Sequence, residues 1–145
     1  MLVSTKGRYA LRTMMDLAVH SQNGPVKIKD IASRQEISGK YLEQIISILA
    51  REGLVRSLRG NQGGYYLSKE PSAYTAGEIL RAAEGSLAPV DCLRALENPC
   101  GRKGDCAALK LWKELDKAIG GVVDHYTLED LLKWQDEEPG RSEGR

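Results

Sequence analysis

Residues 38–68 read SGKYLEQIISILAREGLVRSLRGNQGGYYLS, and this stretch decides the fold. Ser38 is a good N-cap for a helix over residues 39–52, whose inward face is Leu42, Ile45, Ile46 and Leu49. Gly53 stands where a glycine commonly closes a helix. Residues 54–58 and 65–68 are two β-prone runs around Arg59-Gly60-Asn61-Gln62-Gly63-Gly64, the pattern of a hairpin.

Working outward, residues 5–20 carry Tyr9, Leu11, Met14, Met15, Leu17, Ala18 and Val19 at helical spacing, and Asn23-Gly24-Pro25 breaks that helix. Residues 26–37 hold a second, short helix with Ile28, Ile31, Ala32 and Ile37 as its buried stripe. Helix, helix, capped helix and hairpin is the order of a winged helix-turn-helix, so the fold class is mainly α with a small β-hairpin wing. A fourth helix over residues 75–83 opens with Thr75 and Glu78 spaced as a capping box.

Residues 86–106 are irregular and contain all three cysteines. A long helix over residues 106–126 follows, with Asp105 as its cap. Trp112, Leu115, Ile119, Val122 and Tyr126 recur at spacings of 3, 4, 3 and 4, a heptad seam. Gly120 and Gly121 interrupt it at about 1 kcal/mol each, a cost that close approach of a second helix would offset. The seam either packs on its own domain or pairs with a second copy. Little of the chain is left for it to cover, which favours a homodimer built on this dimerisation helix. Thr127 starts a last short helix to about Trp134. The organisation is therefore a DNA-binding domain over 1–85, a cysteine loop over 86–106, the dimerisation and terminal helices over 107–134, and a flexible tail over 135–145.

The 145 residues are 41% hydrophobic and 28% charged, ordinary values for a globular protein with one core. No run approaches the roughly 20 apolar residues of a membrane span, and the N-terminus lacks a signal peptide's apolar region, so the expected location is cytoplasmic. The net charge of +1 hides an asymmetry: residues 1–70 hold 11 Lys and Arg against 6 Asp and Glu, and residues 71–145 hold 10 against 14. A basic first half suits a polyanion, although a solvated surface with segregated charge has the same composition. No Ser, His and Asp constellation or phosphate-binding loop appears, so the chain does not read as an enzyme.

In a helix-turn-helix, the N-terminal residues of the second helix enter the major groove. Here these are Ser38, Gly39, Lys40, Tyr41, Glu43 and Gln44. Ser38 and Tyr41 can donate to phosphates of double-stranded DNA and Lys40 supplies charge, while Gln44 can read adenine. Glu43 can accept from a cytosine amino group and so discriminate between bases, or it can pair on the surface with Lys40 or Arg51. At the wing tip, Arg59 can enter a narrow minor groove, and the adjacent glycines, Gly60 first, permit close approach to phosphate.

Cys92, Cys100 and Cys106 are spaced C-x7-C-x5-C. An odd count in a chain without an export signal argues against a disulfide framework. Three thiols in a polar, Gly-containing segment read as ligands of an iron–sulfur cluster, as zinc or redox thiols, or as inert residues. Asp91 and Asp105 adjoin the cysteines as possible oxygen ligands, and His20 and His125 lie in helices as structural or exposed residues.

Residues 4–10 (STKGRYA), Ile37-Ser38 with Tyr41-Leu42-Glu43-Gln44, Gly53-Leu54-Val55, Arg59-Gly60 with Gly63-Gly64-Tyr65, and Leu111-Trp112 resemble the Rrf-type winged-helix regulators. This is the family of the iron–sulfur regulator IscR, the nitric-oxide sensor NsrR and the cysteine regulator CymR, and the likeness is greatest to the iron–sulfur members. It implies a homodimer with crossed long helices and an operator contacted by Ser38, Tyr41, Glu43, Gln44, Arg59 and Gly60. It also implies a cluster on Cys92, Cys100 and Cys106, of the 2Fe-2S type first and the 4Fe-4S type as the alternative. Two positions depart from the family: Leu109 stands where the iron–sulfur regulator has a histidine ligand, and Arg8 where the nitric-oxide sensor has an acid. The gap of seven between the first two cysteines is also longer than the usual five, so the fourth ligand is unassigned. The cluster-free, CymR-like alternative answers to thiol redox, zinc or a partner protein.

Overall fold

The computed structural model describes residues 3–138. Its elements are α1 (Thr5–His20), α2 (Ile28–Gln35), α3 (Gly39–Arg51), β1 (Val55–Leu58), β2 (Gly64–Leu67), α4 (Ala76–Glu84), α5 (Ala107–Val123) and α6 (Leu128–Glu137). The core lies among α1, α3 and α4, where Ala10, Met14, Leu17, Leu42, Ile45, Ile46, Leu49 and Ile79 are sealed from solvent and Leu128 of α6 closes one side. These are the apolar positions that recur at helical spacing, because only one stripe of each amphipathic helix can face the common interior.

The caps explain where the helices start. Ser38 accepts from the Tyr41 amide at 3.2 Å. Thr75 and Glu78 form the expected capping box at 3.0 and 3.2 Å. A second box pairs Thr127 with Asp130, and α6 runs to Glu137, past Trp134. Asp105 does not cap α5: the turn closed by its amide to the Arg102 carbonyl leaves Cys106 in the cap position, with no side-chain cap.

The wing pairs β1 with β2 antiparallel, Val55 opposite Leu67 and Leu58 opposite Gly64. Val26 adds a short third edge, exchanging 2.8 Å hydrogen bonds with Tyr65 in both directions. A Cβ at Gly63 would run into the Leu58 carbonyl, so the wing turn requires glycine there. Buried Tyr74 fixes the wing's base: its hydroxyl donates to the Leu54 carbonyl at 2.7 Å and accepts from the Ser68 and Lys69 amides at 2.8 and 3.0 Å.

The turn between α2 and α3 contains Glu36 with φ 54°, the one non-glycine residue in the left-handed region among those described. That conformation costs an L-residue about 1–2 kcal/mol, and glycine in turn loses about 0.4–1 kcal/mol through unfolded-chain entropy. Glu36→Gly is therefore expected to stabilise the fold by roughly 0.5–1 kcal/mol in urea unfolding. Unchanged stability would show that Glu36 finds compensation in place.

Helix α5 departs from the expected seam. Leu109 is buried, Trp112 and Ile119 are half-buried against their own chain, and Ile119 lines a cleft with Leu87 and Leu93. The exposed apolar stripe is Leu111, Leu115, Ala118 and Val122, again at heptad spacing, with Leu111 61%, Leu115 42% and Val122 56% exposed. Of the expected seam, Leu115 and Val122 belong to this stripe, while the Tyr126 ring packs at a tilt against Trp134 with centroids 4.8 Å apart. Within the chain the close helix approach occurs at Gly77 of α4, where a Cβ would strike Asp124, and Gly121 has open space around it. Arg81 of α4 secures the same joint, donating to both Asp124 carboxylate oxygens at 2.6 and 3.1 Å. Those bonds hold the Arg81 guanidinium above its ordinary pKa.

Candidate nucleic-acid interface and cysteine loop

The N-terminal turns of α3 present Ser38, Lys40, Glu43 and Gln44 to solvent, on the side opposite the buried Leu42, Ile45, Ile46 and Leu49. Tyr41 is half-buried, its ring meeting that of Tyr9 edge-on with centroids 5.8 Å apart. Among the described residues Glu43 has no ion-pair or hydrogen-bond partner, so the surface pairing with Lys40 or Arg51 does not form. Arg56 and Arg59 are exposed on the wing, and Gly60 takes φ 109° as the chain turns at the tip. The Gly63 amide closes that turn on the Gly60 carbonyl at 3.0 Å.

A polar clamp that the sequence reading missed anchors the helix-turn-helix. Asp16 of α1 has a fully buried side chain and accepts from Arg34 Nε and Nη2 at 2.9 and 2.8 Å and from Gln35 Nε2 at 2.9 Å. The hydrogen bonds to Asp16 hold the Arg34 guanidinium above its ordinary pKa. A signal was present: Asp16 is a lone carboxylate inside an apolar helical stripe, and a buried charge needs a partner.

Cys92, Cys100 and Cys106 are free thiols, each half-buried. Cys92 lies in a short turn over Asp91–Leu93, Cys100 follows the Asn98 side chain that accepts from its amide at 2.9 Å, and Cys106 opens α5. Among the described residues no three His, Cys, Asp or Glu side chains come together closely enough to hold a metal ion. Asp91 faces Arg94 at 3.5 Å, Asp105 is exposed, and His20 and His125 lie outside the loop. The donor set has the chemistry of a cluster site, three unpaired thiols on one irregular segment. The buried Asn98 Nδ2 beside Cys100 lacks a hydrogen-bond partner among the described residues. Binding a cluster requires the loop to gather its thiols.

The Rrf2 family, described as iron-dependent transcriptional regulators, matches residues 3–134. The chain belongs to the Rrf2 family. Among its Rrf2 relatives, the HTH-type transcriptional regulator CymR of Bacillus subtilis is 44% identical over 95% of this chain and 94% of that protein. The solved structure of that global cysteine regulator superposes with a TM-score of 0.76, at 43% identity over 92% of this chain and 98% of that one. The HTH-type transcriptional regulator IscR of Yersinia enterocolitica is 42% identical over 94% of this chain and 82% of that protein. The structure of T. potens IscR gives a TM-score of 0.76 at 42% identity, covering 100% of this chain and 94% of that one. These relatives are named as regulators of transcription and not as enzymes. The winged-helix fold expected from residues 38–68 is thus the fold of the Rrf2 regulators. Among the described residues no helix is long and apolar enough to cross a membrane.

Proposed function

We propose that this Rrf2 regulator is a cytoplasmic homodimer that reads operator DNA with Ser38, Lys40, Tyr41, Glu43 and Gln44 of α3 and with Arg59 and Gly60 of the wing. The observation that carries the reading is the solvent-facing first turns of α3, where Lys40, Glu43 and Gln44 have no partner among the described residues, with an exposed arginine at the tip of a glycine-turned wing. Gln44 would pair with adenine and Glu43 with a cytosine amino group, while Ser38, Tyr41 and Lys40 would fix the register on phosphates. Arg59 would enter the minor groove, where the negative potential is greatest. The exposed α5 stripe supports dimerisation, which places two recognition helices on half-sites about one turn apart.

The sensory segment is the loop over 86–106. Cys92, Cys100 and Cys106 would hold an iron–sulfur cluster, 2Fe-2S before 4Fe-4S, which when bound supplies a redox- and nitric-oxide-reactive centre. Leu109 is aliphatic and has no donor atom, so a fourth ligand would have to come from elsewhere. A second reading, thiol redox, zinc or a partner protein without a cluster, is supported by the lack of any gathered three-ligand group among the described residues and by the likeness to CymR.

Two measurements test these readings. Arg59→Ala should weaken operator binding about tenfold and lower the slope of log affinity against log salt by about 0.9. Unchanged binding would remove the wing from the interface. Protein purified without oxygen should absorb in the visible with matched iron and acid-labile sulfide, and Cys100→Ala should abolish the spectrum while leaving the fold. Colourless protein after anaerobic reconstitution would leave the second reading.

A further inference from the structure

Helix α2 is only eight residues long and fully buries a single side chain, Ile31, so apolar packing alone holds it weakly. Its C-terminal end is held by Arg12 of α1. Arg12 Nε donates to Gln35 Oε1 at 3.1 Å and Nη2 donates to the Gln35 carbonyl, a group that has no partner within its own helix. Gln35 in turn reaches Asp16. The next residue is Glu36, which sets the direction of α3 from the left-handed region. The same Arg12 guanidinium lies 5.0 Å over the ring of Tyr9, and that ring meets Tyr41 on the first turn of α3. Among the described residues no carboxylate pairs with Arg12.

We propose that Arg12 is a positioning residue for operator specificity: it fixes the end of α2 and, through the Tyr9 ring, the placement of Tyr41 at the DNA surface. The inference rests on Tyr41 contacting DNA. A planar guanidinium can fork between two oxygens of one residue while presenting its face to an aromatic ring, and an ammonium cannot. The Tyr9 hydroxyl has no hydrogen bond among the described residues, so only its ring is needed. Because Arg12 acts behind the interface, its loss should shift the Tyr41 register contact and blur the alignment of the base-reading side chains without removing a charge from the phosphates.

The test uses a duplex selected by the wild-type protein from a randomised pool, beside a scrambled duplex, with affinities read by fluorescence anisotropy across a salt series. Arg12→Ala, Arg12→Lys and Tyr9→Leu should each lower the specific-to-scrambled affinity ratio about tenfold and leave the salt slope unchanged. Tyr9→Phe should keep the ratio. A salt slope reduced by about one with the ratio preserved would make Arg12 a direct phosphate contact and overturn the proposal. So would a ratio insensitive to all three variants, or a fall in Tm that tracks the loss of ratio across the series. Tyr41→Ala separates the two levels: as a phosphate contact it should weaken binding to both duplexes, and if both affinities are unchanged, the reading of Tyr41 fails. If it weakens both while the Arg12 variants leave the ratio intact, only the positioning role fails.

Discussion

Tyr74→Phe is expected to lower the unfolding free energy by about 3 kcal/mol, a fall in Tm of roughly 10 °C for a chain of this size. Phenylalanine keeps the buried ring, so the loss comes from the hydroxyl alone. That hydroxyl satisfies three backbone groups: the Leu54 carbonyl before β1 and the Ser68 and Lys69 amides after β2. Leaving a buried polar group unpaired costs about 1–3 kcal/mol. The Ser68 amide also reaches the Leu54 carbonyl at 3.4 Å, so those two groups keep a long bond to each other and the full sum for three groups is not reached. Ser68 is half-buried and Lys69 exposed, so water can replace part of the loss, and the lower end applies. Both strands of the wing end at this one hydroxyl, so operator affinity should fall at temperatures where the variant is still folded. Thermal unfolding by circular dichroism checks the first effect. A Tm within about 3 °C of wild type would mean that water substitutes fully.

Leu115→Glu should convert a dimer to monomers, with operator affinity falling at least about a hundredfold as the two half-sites lose their linkage. In the single chain Leu115 is 42% exposed, and glutamate is a good helix former, so the fold of the monomer should survive. In a seam formed by Leu111, Leu115, Ala118 and Val122 the same carboxylate would be buried without a partner. Sedimentation at micromolar concentration distinguishes the outcomes, and a variant that stays dimeric would move the interface off this stripe. Ile119→Glu makes the contrasting control. It faces the cleft with Leu87 and Leu93, so it should reduce the stability of the single chain as well.

The two stripes of α5 show what periodicity can and cannot reveal. Trp112, Leu115, Ile119 and Val122 fit a heptad on paper, yet a helix with apolar residues on neighbouring faces admits more than one register. Which face is inward depends on where α4 sits, and that is fixed by Gly77 yielding to Asp124 and by the Arg81 clamp 43 residues from its partner in sequence. Asp105 fails as a cap for a related reason: its turn with Arg102 consumes it one residue early.

The sequence alone determined the winged-helix order, the start of α3 and its end to within one residue, the Ser38 and Thr75 caps, and a run of polar residues, Ser38, Lys40, Glu43, Gln44 and Arg59, that is exposed. All of these follow from contacts within a few residues, where propensity, capping and the helical period act directly. Only the tertiary structure decided that Arg12 and Asp16 of α1 hold the end of α2, that Tyr74 anchors both ends of the wing, that α5 leaves Leu111, Leu115, Ala118 and Val122 uncovered, and that the three cysteines do not meet as one metal-holding group among the described residues. Each of those depends on groups distant in the chain meeting in space, and a polar side chain carries no mark in the sequence of the partner that burial will demand of it.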